Sequence, residues 1–227
     1  ESNKFKKVMK FGYKLDGLND HTYPLLDWHP NSKMLSILSE KKDQLYLRYY
    51  FPETKKLESR PIHHFQKILS MSYSSDGKKF VLSGIKKGQT DLFIYHISKN
   101  TFENLTNDIY DDYEPIFIHD DRDILFSSNR ISDTLHSSPN WQDNLPLRIG
   151  RNKDLFLYSS SSKSKVMKRV TNTLDIEESN PIRLSEKYIS YLSDESGITN
   201  RVLVHFDSVI SHVDTIAHYK FQTTSTP

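Results

Sequence analysis

The chain has no cysteine in 227 residues, which excludes a disulfide framework, a thiolate nucleophile and any zinc site built on cysteine. Glycine is also scarce, with seven in all against a usual share of about 7%. No apolar run approaches the roughly 18 residues of a membrane-spanning helix; the longest, such as Leu92 to Tyr95 and Leu155 to Tyr158, are far shorter. Neither sign of charge dominates. Lys and Arg number 31 against 29 Asp and Glu, a net charge of +2, so electrostatics give no reason to expect nucleic acid or an acidic membrane as the main partner. Catalytic signatures are missing too: there is no Gly-x-Ser-x-Gly, no His-Glu-x-x-His, no P-loop and no Gly-x-Gly-x-x-Gly, which argues against an enzyme. If the chain were part of a peptidase, the catalytic domain would lie outside this segment. The first residue is Glu and no signal-peptide pattern is seen, which reads as a processed or excised piece.

Aromatic side chains are what the chain has in plenty: 13 Tyr, 12 Phe and 2 Trp, residue types that suit pleated sheets. They fall into a pattern that occurs four times: a short apolar strand, a polar turn, a second apolar strand ending in small polar residues, then Asp or Asn leading a third strand. The second copy is the cleanest, with Leu69 to Tyr73, the turn Ser74-Ser75-Asp76-Gly77-Lys78-Lys79, Phe80 to Gly84, and Asp91 to Ile97. A fourth strand, Thr101 to Thr106, completes it. The first copy runs through Leu25 to Trp28, Met34 to Ser39 and Asp43 to Leu47; the third through Pro115 to Ile118, Ile124 to Arg130 and Asp154 to Tyr158; the fourth through Asn180 to Ile182, Tyr188 to Asp194 and Asn200 to Val204. Trp28 and Tyr73 are 45 residues apart, Tyr73 and Phe117 are 44 apart, and Asp154 and Asn200 are 46 apart. Four-stranded units of about 40 to 45 residues are the signature of propeller blades.

The physics supports this reading. A lone four-stranded sheet exposes two faces and can bury neither, so such units must stack. Strands such as Phe80 to Leu82 are apolar throughout rather than alternating, as expected when neighbours cover both faces. The carboxylates of Asp76-Gly77 and Asp120-Asp121 belong to turns, where Asp and Gly tolerate positive φ or bond their own backbone; Pro30-Asn31 fills the same place in the first copy. The expected fold is therefore an all-β propeller of four-stranded antiparallel blades near 23–62, 68–106, 113–171 and 178–220. A strand of a preceding blade is expected at 7–15. Val209, Val213, Ile216 and Ala217 have helical spacing, while Val213, Thr215, Ala217 and Tyr219 alternate as in a strand; the repeat favours the strand. The tail 222–227 is polar and expected to fray.

The runs Tyr-Ser-Ser-Asp-Gly-Lys-Lys at 73–79, Phe-Ser-Ser-Asn-Arg at 126–130 and Leu-Ser-Asp-Glu-Ser-Gly at 192–197, together with the Asp-Leu-Phe-(Ile/Leu)-Tyr strands, resemble the repeat of TolB-type β-propellers. The same repeat is seen in the propellers of tricorn and prolyl oligopeptidase-type peptidases. The resemblance covers about residues 23–206 and carries no chemistry of its own. It implies six or more blades, so that four copies would be part of a larger ring. Likeness to long TolB-like proteins of the Bacteroidetes type implies a periplasmic or outer-membrane-associated home.

Candidate sites are few. Asp108, Asp111, Asp112 and Glu114, with His119, Asp120 and Asp121 behind them, are oxygen donors of the calcium type, but their spacing matches no EF-hand; between two blades they read as a solvated loop. His63 and His64 are adjacent, and neighbours in a strand point to opposite faces, so they would not share a metal. No metal or other cofactor is expected. The informative segment is an insertion at 131–150 between the second and third strands of the third blade, which lengthens the step from Asp91 to Asp154 to 63 residues. In a propeller that connection lies on the same face as the links between blades. Trp141, Leu145, Leu147 and Arg148 stand in it, and Arg130 and Arg151 flank it. Trp and Arg are enriched at binding hot spots, and a long loop in a compact domain is often functional. Two readings stay open: Trp141 meets a partner or folds down as a cap, and the flanking arginines bind a partner's carboxylate or pair with Asp133 or Asp143.

The sequence thus points to a non-catalytic scaffold that docks a protein or peptide within an envelope-associated assembly, without nucleic acid and without membrane insertion. The alternative is the substrate-gating propeller of a prolyl oligopeptidase-type or tricorn-type peptidase. A third reading, a sugar or other small ligand in a central channel, would need polar side chains converging there.

Overall fold

The structure, a computed structural model, describes residues 7–9, 20, 22–135, 152–162, 164–173 and 175–205. These form fifteen strands in four antiparallel sheets. The first sheet contains β1 (Leu25–Trp28), β2 (Leu35–Lys41), β3 (Gln44–Phe51) and β4 (Lys56–Ile62). The second contains β5 (Lys67–Tyr73), β6 (Lys79–Lys86), β7 (Gln89–His96) and β8 (Thr101–Asn104). The third contains β9 (Asp112–Ile118), β10 (Asp123–Ser128), β11 (Asp154–Ser159) and the two-residue β12 (Lys168–Arg169). The fourth contains β13 (Glu178–Arg183), β14 (Tyr188–Ser193) and β15 (Asn200–His205). Within every sheet the spatial order follows the chain, and the first strands sit side by side, β1 on β5, β5 on β9 and β9 on β13. This is the arrangement of propeller blades, with the first strand of each innermost.

The stacking explains the unbroken apolar strands. Successive side chains of a strand point to opposite faces, and here each face meets a different neighbour. Phe80 and Leu82 of β6 pack toward the first blade with Leu38 and Leu47, while Val81 between them packs toward the third blade with Phe126 and Phe156. In β10, Ile124 and Phe126 turn to the second blade, and Leu125 turns to the fourth, against Ile189. Burying a side chain of this size contributes about 1.5–3 kcal/mol, so each interface is held mainly by a handful of such positions. Trp28 belongs to the first of the described blades. It pairs with Leu35 as Tyr73 pairs with Phe80 and Phe117 with Ile124, yet it is 52% exposed while Tyr73 and Phe117 are buried. Tyr73 and Phe117 face the preceding blade, and Trp28 is on the side of the first blade away from the second.

The turns between first and second strands lace one end of the blades together. Gly77 has φ +69, and a Cβ there would lie 2.1 Å from Nε2 of His29 in the preceding blade's turn. Asp76 accepts from the Lys78 amide (2.9 Å) and the Ser74 hydroxyl (2.7 Å); these bonds, the amide foremost, hold its carboxyl below the usual range. Asp121 accepts the Ser75 amide at 2.8 Å and also the Ser75 hydroxyl, and Glu186 accepts the Asp120 amide at 3.3 Å. The turn carboxylates therefore join blade to blade.

Residues 7–9 carry no strand, and the remainder of the strand expected at 7–15 lies outside the described residues, as does the segment 208–219. No helix of the described residues is long and apolar enough to cross a membrane.

Candidate partner-binding face

Strand direction puts the connections 42–43, 87–88, 129–153 and 194–199, between second and third strands, at the end opposite the laced turns. The links between blades run along the same end. Three of these connections are short; that of the third blade is the insertion. Its tip, with Trp141, Leu145, Leu147, Arg148 and Arg151, lies outside the described residues, as does Asp143. Its stem, 129–135, is described and is firmly held.

Arg130 starts the stem and corrects the expectation that it faces a partner. Its side chain is 0% exposed. Nη2 donates to both oxygens of Asp112 (2.7 and 2.8 Å), Nη1 to Asp108 (3.1 Å) and Nε to the Ser128 hydroxyl (3.1 Å). The Tyr110, Phe126 and Phe156 rings lie 5.3–5.8 Å from its guanidinium carbon. A guanidinium satisfied in this way binds its own chain's carboxylates and has none of its fork left for a partner. The same geometry revises the acidic run. Asp108 and Asp112 are buried rather than part of a solvated loop, because Arg130 takes the place that water would fill.

Arg169, from β12, ties down the next residues. It donates through Nε to Asp133 (3.0 Å), through Nη1 to Asp154 (2.9 Å), and through Nη2 to the carbonyls of Ile131 (2.9 Å) and Arg130 (3.4 Å). Asp133 is thus paired by Arg169, while Arg130 pairs with Asp108 and Asp112 instead. The stem then forms a short ribbon with 165–167: the Met167 amide donates to Asp133 O (2.8 Å), the Leu135 amide donates to Lys165 O (2.7 Å), and Thr134 faces Val166 across a single bridge. Ile131 (45%) and Val166 (62%) are exposed at the foot of this ribbon. Sequence reasoning missed Arg169, Ile131 and Val166, since nothing in local spacing pairs residues 36 positions apart.

Two neighbouring blade junctions carry the same polar frame. At the second and third blades, Asp91 is the third residue of β7, and Thr106 Oγ1 accepts the Leu92 amide at 2.9 Å. At the third and fourth, Asp154 opens β11 and Thr171 Oγ1 accepts the Leu155 amide at 2.8 Å. The Asp that leads each third strand was visible in the repeat; its burial was not. Asp91 is 2% exposed, and burial, together with Asp112 and Asp108 nearby, raises its carboxyl to about 7 despite a bond from Asn104. Burial likewise pushes Asp112 upward against the pull of Arg130, and pushes up Asp154 and Glu178 at the next junction. Burial works against the Arg130 charge, but Asp112 and Asp108 outweigh it and keep the guanidinium protonated.

His63 and His64 have ring centroids 6.3 Å apart and 72° between planes, and among the described residues no three His, Asp or Glu side chains gather as a metal site.

No protein-family model matches the sequence, and no curated protein does. Solved structures do. The chain is similar to TolB from Acinetobacter baumannii (TM-score 0.59, 16% identity, over 80% of this chain and 40% of that one). It is also similar to a putative TolB from Agrobacterium tumefaciens (TM-score 0.52, 16% identity, 80% of this chain and 76% of that one). A puromycin hydrolase is similar over 79% of this chain but 26% of its own length (TM-score 0.55, 9% identity). The chain therefore spans well under half of the first of these proteins. At such identities the likeness is one of fold, and together with the four stacked sheets it shows that the chain has the β-propeller fold seen in these TolB structures.

Proposed function

We propose that this chain is a non-catalytic docking propeller. It would receive a protein or peptide on the end that bears the insertion, with Trp141, Leu145, Leu147, Arg148 and Arg151 making the contact, as part of an assembly at the periplasmic side of an envelope or at the outer membrane. The observation that carries this reading is the stem: a connection far longer than its three counterparts, rooted by a buried arginine and strapped by a second one. A contact surface on a preorganised base loses less entropy on binding, and Trp with Arg is the pairing that dominates binding energy when desolvated. The buried acids of this face also support a non-catalytic role, because Asp108 and Asp112 are committed to Arg130 and Asp154 to Arg169.

Replacing Trp141 and Arg148 by Ala, then comparing capture of partners from envelope extract, tests this. The expected result is loss of a partner that the parent chain retains, with the circular dichroism spectrum unchanged. Equal capture by a folded variant would remove the insertion from the interface. The peptidase-propeller reading draws on the likeness to puromycin hydrolase over 26% of that chain. It predicts a hydrolase domain with a nucleophile elbow in the same reading frame, whereas the docking reading predicts further blades or an anchoring domain.

A further inference from the structure

At the junction of the second and third blades two carboxylates hold one guanidinium, and a third buried carboxylate, Asp91, lies close enough to feel both of their charges. Asp91 comes from β7, Asp108 from the link between blades, Asp112 from β9, and Arg130 from the residues just after β10; all four are buried. Arg130 reaches Asp112 twice and Asp108 once. Asp91 accepts from the Asp108 backbone amide and, at longer range, from Asn104 Nδ2 at 3.3 Å and Thr106 Oγ1 at 3.5 Å, and no cation bonds to it among the described residues. From β6 the neighbours are Gly84, opposite Asp91, and Ser83, whose hydroxyl donates to the Asp112 carbonyl. The link adds Tyr110 and β9 adds Tyr113; burial raises both hydroxyls above their ordinary range, so neither titrates near neutrality.

We propose that this cluster is a proton-operated latch, closed while Asp91 keeps a proton and loosened when Asp91 gives it up, and that it sets how firmly the insertion stem is held. The charge count leads there. With Asp91 protonated, two carboxylates share one guanidinium. With Asp91 ionised, a third negative charge enters a site with no second cation among the described residues, and a buried unpaired charge is strongly unfavourable. Because Asp91 titrates at about 7, the change falls between mildly acidic and mildly alkaline conditions, and the proton belongs to the cluster as a coupled unit. The stem feels it through Arg130. That side chain anchors to Asp108 and Asp112, while its carbonyl and the next one accept from Arg169. The latch rests on the position of the stem and needs no partner, so it stands or falls apart from the docking reading.

Hydrogen exchange on the 227-residue chain tests it, at about pH 6 and about pH 8, after correction for the intrinsic pH effect on exchange. The expected result is that amides of 104–112 and 129–135 exchange up to about tenfold faster at the higher pH, while 44–62 in the first blade do not change. Asp91→Asn, which mimics the protonated acid, should abolish the difference. Equal protection at both pH values in the parent, or the same difference in the variant, overturns the proposal. Carbon-13 titration of the parent's carboxyls is independent of whether the variant folds. An aspartate titrating near neutrality is expected; all aspartates finishing below about pH 5 would refute the latch.

Discussion

Arg130 provides the most exacting test of the packing described above. Changing it to Met keeps the length of an unbranched chain and the contact with Phe126 and Phe156, but removes the charge and the bonds to Asp108, Asp112 and Ser128. Asp112 is 0% exposed, so it cannot regain water without opening the junction. Breaking a buried pair by removing one partner costs about 3–5 kcal/mol, most of it the penalty of the charge left behind. At roughly 2 °C per kcal/mol for a chain of this size, that predicts a fall in Tm of about 6–10 °C. Urea unfolding of Arg130→Met, Asp112→Asn and the double variant would apportion the effect. The double variant should be more stable than Arg130→Met by about 1–2 kcal/mol, because the stranded charge is gone. If Arg130→Met were within about 0.5 kcal/mol of the parent, the arginine would not hold the junction and the rigid stem would lose its foundation.

The other predictions are more local. Folded Asp91 holds its proton to about 7, above its unfolded value, so the native state binds more protons between about pH 4 and 7. Its contribution should therefore be full at low pH, fall as pH rises through that window and be level above it; comparing Asp91→Asn with the parent isolates this slope, and parallel curves would refute it. Phe126→Ala should cost about 3–5 kcal/mol, whereas the half-exposed Trp28→Ala should cost about 1 kcal/mol or less; equal losses by chemical denaturation would mean that the faces are wrongly assigned. Gly77→Ala should destabilise by about 1–2 kcal/mol through its positive φ and the His29 ring. Adding His29→Ala should recover only the steric part, and a neutral Gly77→Ala would contradict the turn-to-turn contact.

The propeller fold was legible because its causes are local and repeated. Asp76-Gly77 announces a turn through the backbone conformations those residues permit, and the turn is there with Gly77 at φ +69. Phe80 to Leu82 announces a sheet covered on both faces, and the two sides of β6 do enter different cores. The role of Arg130 was not legible, because its partners lie 18 and 22 residues away and only the fold brings them to it. An arginine beside a long loop has the composition of a hot spot whether it faces outward or inward. Asp108 and Asp112 were misread for the same reason: a run of acids is a solvated loop unless a buried cation meets it, and which of the two applies is decided in three dimensions.

The account turns on the end of the blades that carries the insertion. A photo-crosslinking residue placed at position 141, compared with one at position 78 in the exposed turn at the opposite end, tests that most directly. A discrete crosslinked partner from position 141 and none from position 78 is the expected result. Crosslinks of equal yield from both, or from position 78 alone, would contradict it.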